Sequence, residues 1–108
     1  MREVIATFFA AVLVSTALAA DAGMFLCRSP VVANDFWNDL LTARQTGVTV
    51  NREIAASIAR KHQCQFVASE RLKPIDFVTG QLAITDGSIK GWAAPQLYIM
   101  YVNRPGAN

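Results

Sequence analysis

Cys27 and Cys64 are the residues of this chain whose chemistry is most constrained. Thiols that meet an oxidising compartment pair with one another, so a Cys27–Cys64 disulfide is the expected outcome. A bridge closing a loop of this length contributes about 4 kcal/mol in the chain-entropy model, against about 5–10 kcal/mol in total for a small domain. The competing thiol chemistries lack partners. A tetrahedral metal site needs three or four donors, whereas His62 is the only histidine and there is no second cysteine pair. Neither a metal nor a cofactor is expected. His62 and Cys64 are two positions apart, a spacing that does not bring a nucleophile and a base face to face on a helix.

His62 falls in the middle of an apolar stripe, the usual place of a core or helix-end histidine with a satisfied partner. No catalytic residue is expected. Were the chain a small envelope hydrolase or lyase, His62 would work with Asp76, because Asp86 is accounted for by its turn. The chain holds no Gly-rich phosphate loop, no G-x-S-x-G and no H-E-x-x-H. Binding residues are easier to name. Trp92, Tyr98 and Tyr101 are amphipathic aromatics near turns or on a terminal element, and such side chains supply contact area at small entropic cost. Arg60 joins them from a cluster of cations, Arg44, Arg52, Arg60, Lys61, Arg71 and Lys73, that faces only Glu53 and Glu70 in the same third of the chain. A net charge of +2 with no aromatic-basic motif argues against nucleic acid as the partner.

The elements that must position these residues read as follows. Asn51 caps an amphipathic helix running to His62, with Glu53 at the positive end of its dipole. Ile54, Ala55, Ile58, Ala59 and His62 share its inner face, and Glu53, Ser57 and Arg60 its outer face. A switch to period two then puts Cys64, Phe66 and Ala68 on one side of a strand. Upstream, Asn34 reads as the cap of a helix burying Phe36, Trp37, Leu40 and Leu41 and ending at Gly47, with Arg44 also at helical spacing. Residues 24–32 read as an extended piece that Pro30 confines to an edge.

Downstream, 71–74 reads as a loop and 75–78 as a short apolar patch before Thr79-Gly80. Asp86-Gly87 reads as a two-residue hairpin turn pairing Thr85 with Ser88 and Ile84 with Ile89. The run from Leu97 to Val102, apolar on both faces, reads as a central strand with Tyr98 and Tyr101 on opposite sides. The fold class that follows is α+β: two amphipathic helices packed on a small, mainly antiparallel sheet, held by one disulfide.

Residues 1–19 have the pattern of a cleavable export signal: Arg2, an apolar run to Leu18, and Ala17 and Ala19 in A-x-A spacing. Cys27 follows Leu26 rather than a small residue, unlike a bacterial lipid-attachment cysteine. Residues 20–108 then form a single small domain, periplasmic or secreted, bound to a membrane only if the signal stays uncleaved. The expected function is a small exported non-catalytic interaction domain of the bacterial cell envelope. Its partner is another protein or an envelope component, with an inhibitor or immunity-type protein as a special case.

Overall fold

The computed structural model describes residues 22–106. The expected export signal lies outside the described residues. In chain order the elements are β1 (Gly23–Leu26), α1 (Pro30–Gln45), α2 (Arg52–His62), β2 (Gln65–Ala68), β3 (Lys73–Val78), β4 (Gln81–Thr85), β5 (Lys90–Ala93) and α3 (Pro95–Val102). The fold is α+β, with both sheets antiparallel.

Helix α1 begins one turn earlier than its sequence predicts. Ser29, not Asn34, is the cap: its hydroxyl accepts from the Val32 amide at 3.2 Å, and Pro30 occupies the first helical position. Proline is favoured there because its missing N–H would be an orphan donor in any case. Residues 30–32 are therefore helical rather than extended. Ala33, Phe36 and Leu40 form the buried stripe, and Gly47, at φ +91°, donates to the Arg44 carbonyl where the helix stops.

Helix α2 has the expected bounds. The Asn51 side chain accepts from the Ile54 amide at 2.8 Å, Ala59 is fully buried, and Gln63 closes the helix in the left-handed region at φ 60°. That residue lets the chain turn directly into β2, which pairs with β1 from Gly23↔Ala68 to Leu26↔Gln65. The Cys27–Cys64 disulfide, spanning 37 positions, ties the chain two residues before the α1 cap to the chain two residues past the end of α2. The cross-link therefore closes the base of the helical hairpin.

Alternation along β1 divides the interior in two. Met24 and Leu26 join Val67, Leu72, Ile84, Ala93 and Tyr101 in one cluster. Cys27 joins Ala33, Phe36, Leu40, Ala59 and Cys64 in the other, with Phe25 packed against it. The strand that separates the clusters also links the sheets. Cys27 and Trp92 exchange backbone hydrogen bonds of 2.8 and 2.7 Å, joining β1 to β5. This close approach requires glycine at 91, where a Cβ would lie 2.5 Å from Leu26 Cβ.

Two further expectations are corrected. The two-residue turn is at Thr79-Gly80, both at positive φ (50° and 84°), and it joins β3 to β4 through the Val78↔Gln81 pair. Asp86-Gly87 instead belongs to a four-residue loop, with Thr85 opposite Lys90 and Ile84 opposite Gly91. One Asp86 oxygen, Oδ1, accepts from the Ser88 amide, the Ser88 hydroxyl and the Ile89 amide at 2.9–3.0 Å, which holds the wider loop closed. Because the register moves by two residues, Ile84 keeps its inward face while Ile89 leaves the sheet and is half exposed.

The stretch expected as a final central strand is helix α3. Pro95 fits the first turn of a helix, and an all-apolar run carries no period to separate helix from strand. Tyr98 and Tyr101 consequently lie three apart on one helical face, their ring centroids 6.0 Å from each other, rather than on opposite sides of a strand. Lys73 and Pro74, expected in a loop, open β3, an edge strand with an irregular register between Pro74 and Asp76.

Candidate functional site

A cleft of about 750 Å³ opens where the end of α1, the start of α2, strand β1 and helix α3 meet. Its existence follows from the lengths of the helices. The 46–51 connection, a turn at Thr46-Gly47 followed by residues outside helix or strand, leaves Val48 exposed and Val50 half-buried, and α3 on the other side is only eight residues long. The wall is apolar. Trp37, Leu40 and Leu41 come from α1, Phe25 and Phe66 from the paired strands, and Leu97 and Met100 from α3. Phe25 and Phe66 meet edge to face, their centroids 5.2 Å apart.

The rim is positively charged. Arg44 from the last turn of α1, Arg52 from the first turn of α2 and Arg104 from the segment after α3 all border the cleft, and among the described residues no aspartate or glutamate does. The guanidinium of Arg52 lies 4.0 Å from the Phe66 ring centroid, and that of Arg104 lies 4.2 Å from the Tyr101 ring centroid. Such stacking orients a guanidinium plane. The carboxyl end of α1 and the amino end of α2 both reach the cleft, so their dipoles oppose and the arginines set the sign of the potential.

The aromatic residues expected to bind a partner are distributed otherwise. Tyr101 is buried at 6% exposure, its hydroxyl donating to the Ser69 carbonyl at 2.7 Å and accepting from the Leu72 amide at 3.2 Å. It is a core residue whose ring reaches the cleft wall, not an exposed contact. Tyr98 is half-buried against the same cluster. Trp92 is half-buried against the disulfide cluster, with the Lys90 ammonium 5.9 Å from its ring. Arg60 is exposed on the outer face of α2. Of the four, the structure brings together only the two tyrosines.

His62 pairs with Asp39, not with Asp76. Nε2 lies 2.7 Å from Asp39 Oδ2, bridging α2 to α1, while Asp76 accepts from the Phe77 amide on exposed strand β3. Asp39 escapes the sequence reading because it lies 23 positions from His62. Both cysteines are consumed by the disulfide, so neither offers this pair a thiol. Among the described residues, no group of three or more histidine, cysteine, aspartate or glutamate side chains is placed to hold a metal. Among them, too, no helix is long and apolar enough to cross a membrane.

Of the cleft residues, Phe66, Met100 and Arg104 were not read as candidates for binding; Trp37 was assigned to the helix core, and Arg44 and Arg52 stood in the cation cluster from which only Arg60 was chosen. One signal was available: Arg44 shares the helical spacing of Leu40 and Leu41, an unusual place for a cation unless something at the helix end needs it. Comparison of the chain with protein-family models, curated proteins and solved structures found no match.

Proposed function

We propose that the chain is a small exported, non-catalytic binding domain that holds its ligand in the arginine-rimmed cleft. The observation that carries this reading is the combination of volume and lining. About 750 Å³ falls within the roughly 300–1,000 Å³ of small-molecule sites, which are likewise mostly apolar with a few placed polar groups. The disulfide supports export, since such bonds persist outside the reducing cytosol. A domain this small gains rigidity around the cleft from the same bond.

The rival enzymatic reading draws on the Asp39–His62 pair, a carboxylate orienting an imidazole. Its geometry is equally that of a bridge between two packed helices, and His62 does not line the cleft.

Nile red, a neutral apolar dye, tests the binding reading without favouring any charge on the ligand. Saturable one-to-one binding to the oxidised full chain, lost in Ala55→Trp, which fills the cleft, is the expected result. Ala55 is half-buried on the cleft wall, so circular dichroism of the variant should match the parent. Dye binding that is absent, or that Ala55→Trp leaves intact, overturns the cleft as the ligand site.

A further inference from the structure

We propose that the ligand is a long-chain carboxylate, a single-chain amphiphile whose tail lies on the aromatic wall and whose head meets the arginines. This deepens the binding reading and rests on it. The first reason is charge. Arg44 and Arg104 border the cleft, while Asp35, Asp39, Glu53, Glu70, Asp76 and Asp86, the carboxylates of the described residues, all lie elsewhere. Guanidinium groups present paired N–H donors that match a carboxylate in a two-bond arrangement, and charge-assisted bonds of this kind are about twice as strong as neutral ones.

The donors are in place. Arg104 spends one N–H on the Tyr101 carbonyl at 2.8 Å, which fixes its plane and leaves it other N–H donors of its own guanidinium. The Arg44 side chain forms no hydrogen bond or ion pair among the described residues. A carboxylate would supply it with an opposite charge.

The second reason is the wall. A small free anion would use the rim and leave the surface of Trp37, Leu41 and Met100 wet, so the charge must come with an apolar body. That body is a hydrocarbon chain rather than a peptide. A peptide would bring backbone N–H and C=O groups against a wall whose uncharged aliphatic polar side chains, among the described residues, are Thr49 and Asn51, and the Asn51 oxygen is already engaged by the Ile54 amide. Unpaired peptide groups held against apolar surface are strongly unfavourable.

The test is displacement of Nile red from the oxidised full chain by dodecanoate, dodecanol or acetate, each kept below its aggregation concentration. Dodecanoate is expected to displace the dye at about ten-fold lower concentration than dodecanol, and acetate not at all, the gap corresponding to one charge-assisted bond pair. Arg44→Gln combined with Arg104→Gln is expected to close that gap and leave dodecanol unchanged. Arg44 is exposed on its helix, so Arg44→Gln alone carries the test should the double variant unfold, and it is expected to narrow the gap at least three-fold.

Equal displacement by the acid and the alcohol, or a gap that the arginine variants do not alter, overturns the carboxylate while leaving the cleft as an apolar ligand site. Dye binding that dodecanoate cannot compete, yet Ala55→Trp abolishes, has the same meaning. No saturable dye binding to the full chain, as a second copy or residues 1–21 seated in the cleft would produce, overturns both proposals.

Discussion

The hydroxyl of Tyr101 reaches from the last helix to the 69–72 loop, where it is acceptor for one backbone amide and donor to one carbonyl. Removing it leaves the buried Leu72 N–H without a partner, which costs about 1–3 kcal/mol. Tyr101→Phe is therefore expected to lower stability by that amount in urea unfolding, and Tyr98→Phe, with no hydroxyl bond among the described residues, to change it by less than about 0.5 kcal/mol. Gln81 presents the opposite case. It is buried at 6% exposure with its Oε1 unpartnered among the described residues. Gln81→Met keeps the shape and removes the orphan acceptor, so a gain of about 1 kcal/mol is expected in the same assay. The Tyr101 role was not legible in sequence, because the run from Leu97 to Val102 gives no period by which to tell a buried tyrosine from an exposed one. His62 was half legible: its place on the inner face of α2 could be read, its partner on α1 could not.

Element boundaries were legible where a side chain caps the backbone. Asn51 and Gly47 mark helix ends in the structure as they do in the sequence. Ser29-Pro30 was misread because a proline that interrupts an extended segment and a proline that opens a helix look alike until the cap is seen. Asp86-Gly87 was misread for a related reason: the dipeptide suits a two-residue turn, but one Asp86 oxygen collects three donors and so stabilises the wider loop. Those bonds, the Ile89 amide first, hold the Asp86 carboxyl below its ordinary value. A carboxylate with a lowered native value contributes stability that is complete above its unfolded value and lost as pH falls through the native one. The stability difference between the parent and Asp86→Asn is thus expected to shrink towards zero as pH drops below the usual aspartate range. Carboxyl titration of Asp86 by NMR at or above the value of an unstructured aspartate would contradict the assignment.

On the scale of the whole molecule, the α+β class and the disulfide could be read from the chain, since both depend on local pattern and on the count of cysteines. The cleft could not, because its walls come from β1, α1, α2, β2, α3 and the segments after α1 and α3, which only the tertiary fold brings side by side. The bridge closes 37 positions of chain that include both long helices, so replacing Cys27 and Cys64 by alanine is expected to cost about 4 kcal/mol, read as a fall in urea midpoint. The cleft should loosen with it, because α1 and α2 both contribute to its wall. The central claim is that this cleft, rather than the exposed face of α2 or the surface around Trp92, is where the ligand lies. NMR of the oxidised protein titrated with dodecanoate tests it most directly. Shift changes and intermolecular NOEs are expected at the Trp37 indole, Leu41, Met100 and the Arg44 and Arg104 side chains. Changes confined to Arg60, Trp92 or strand β3 would contradict it.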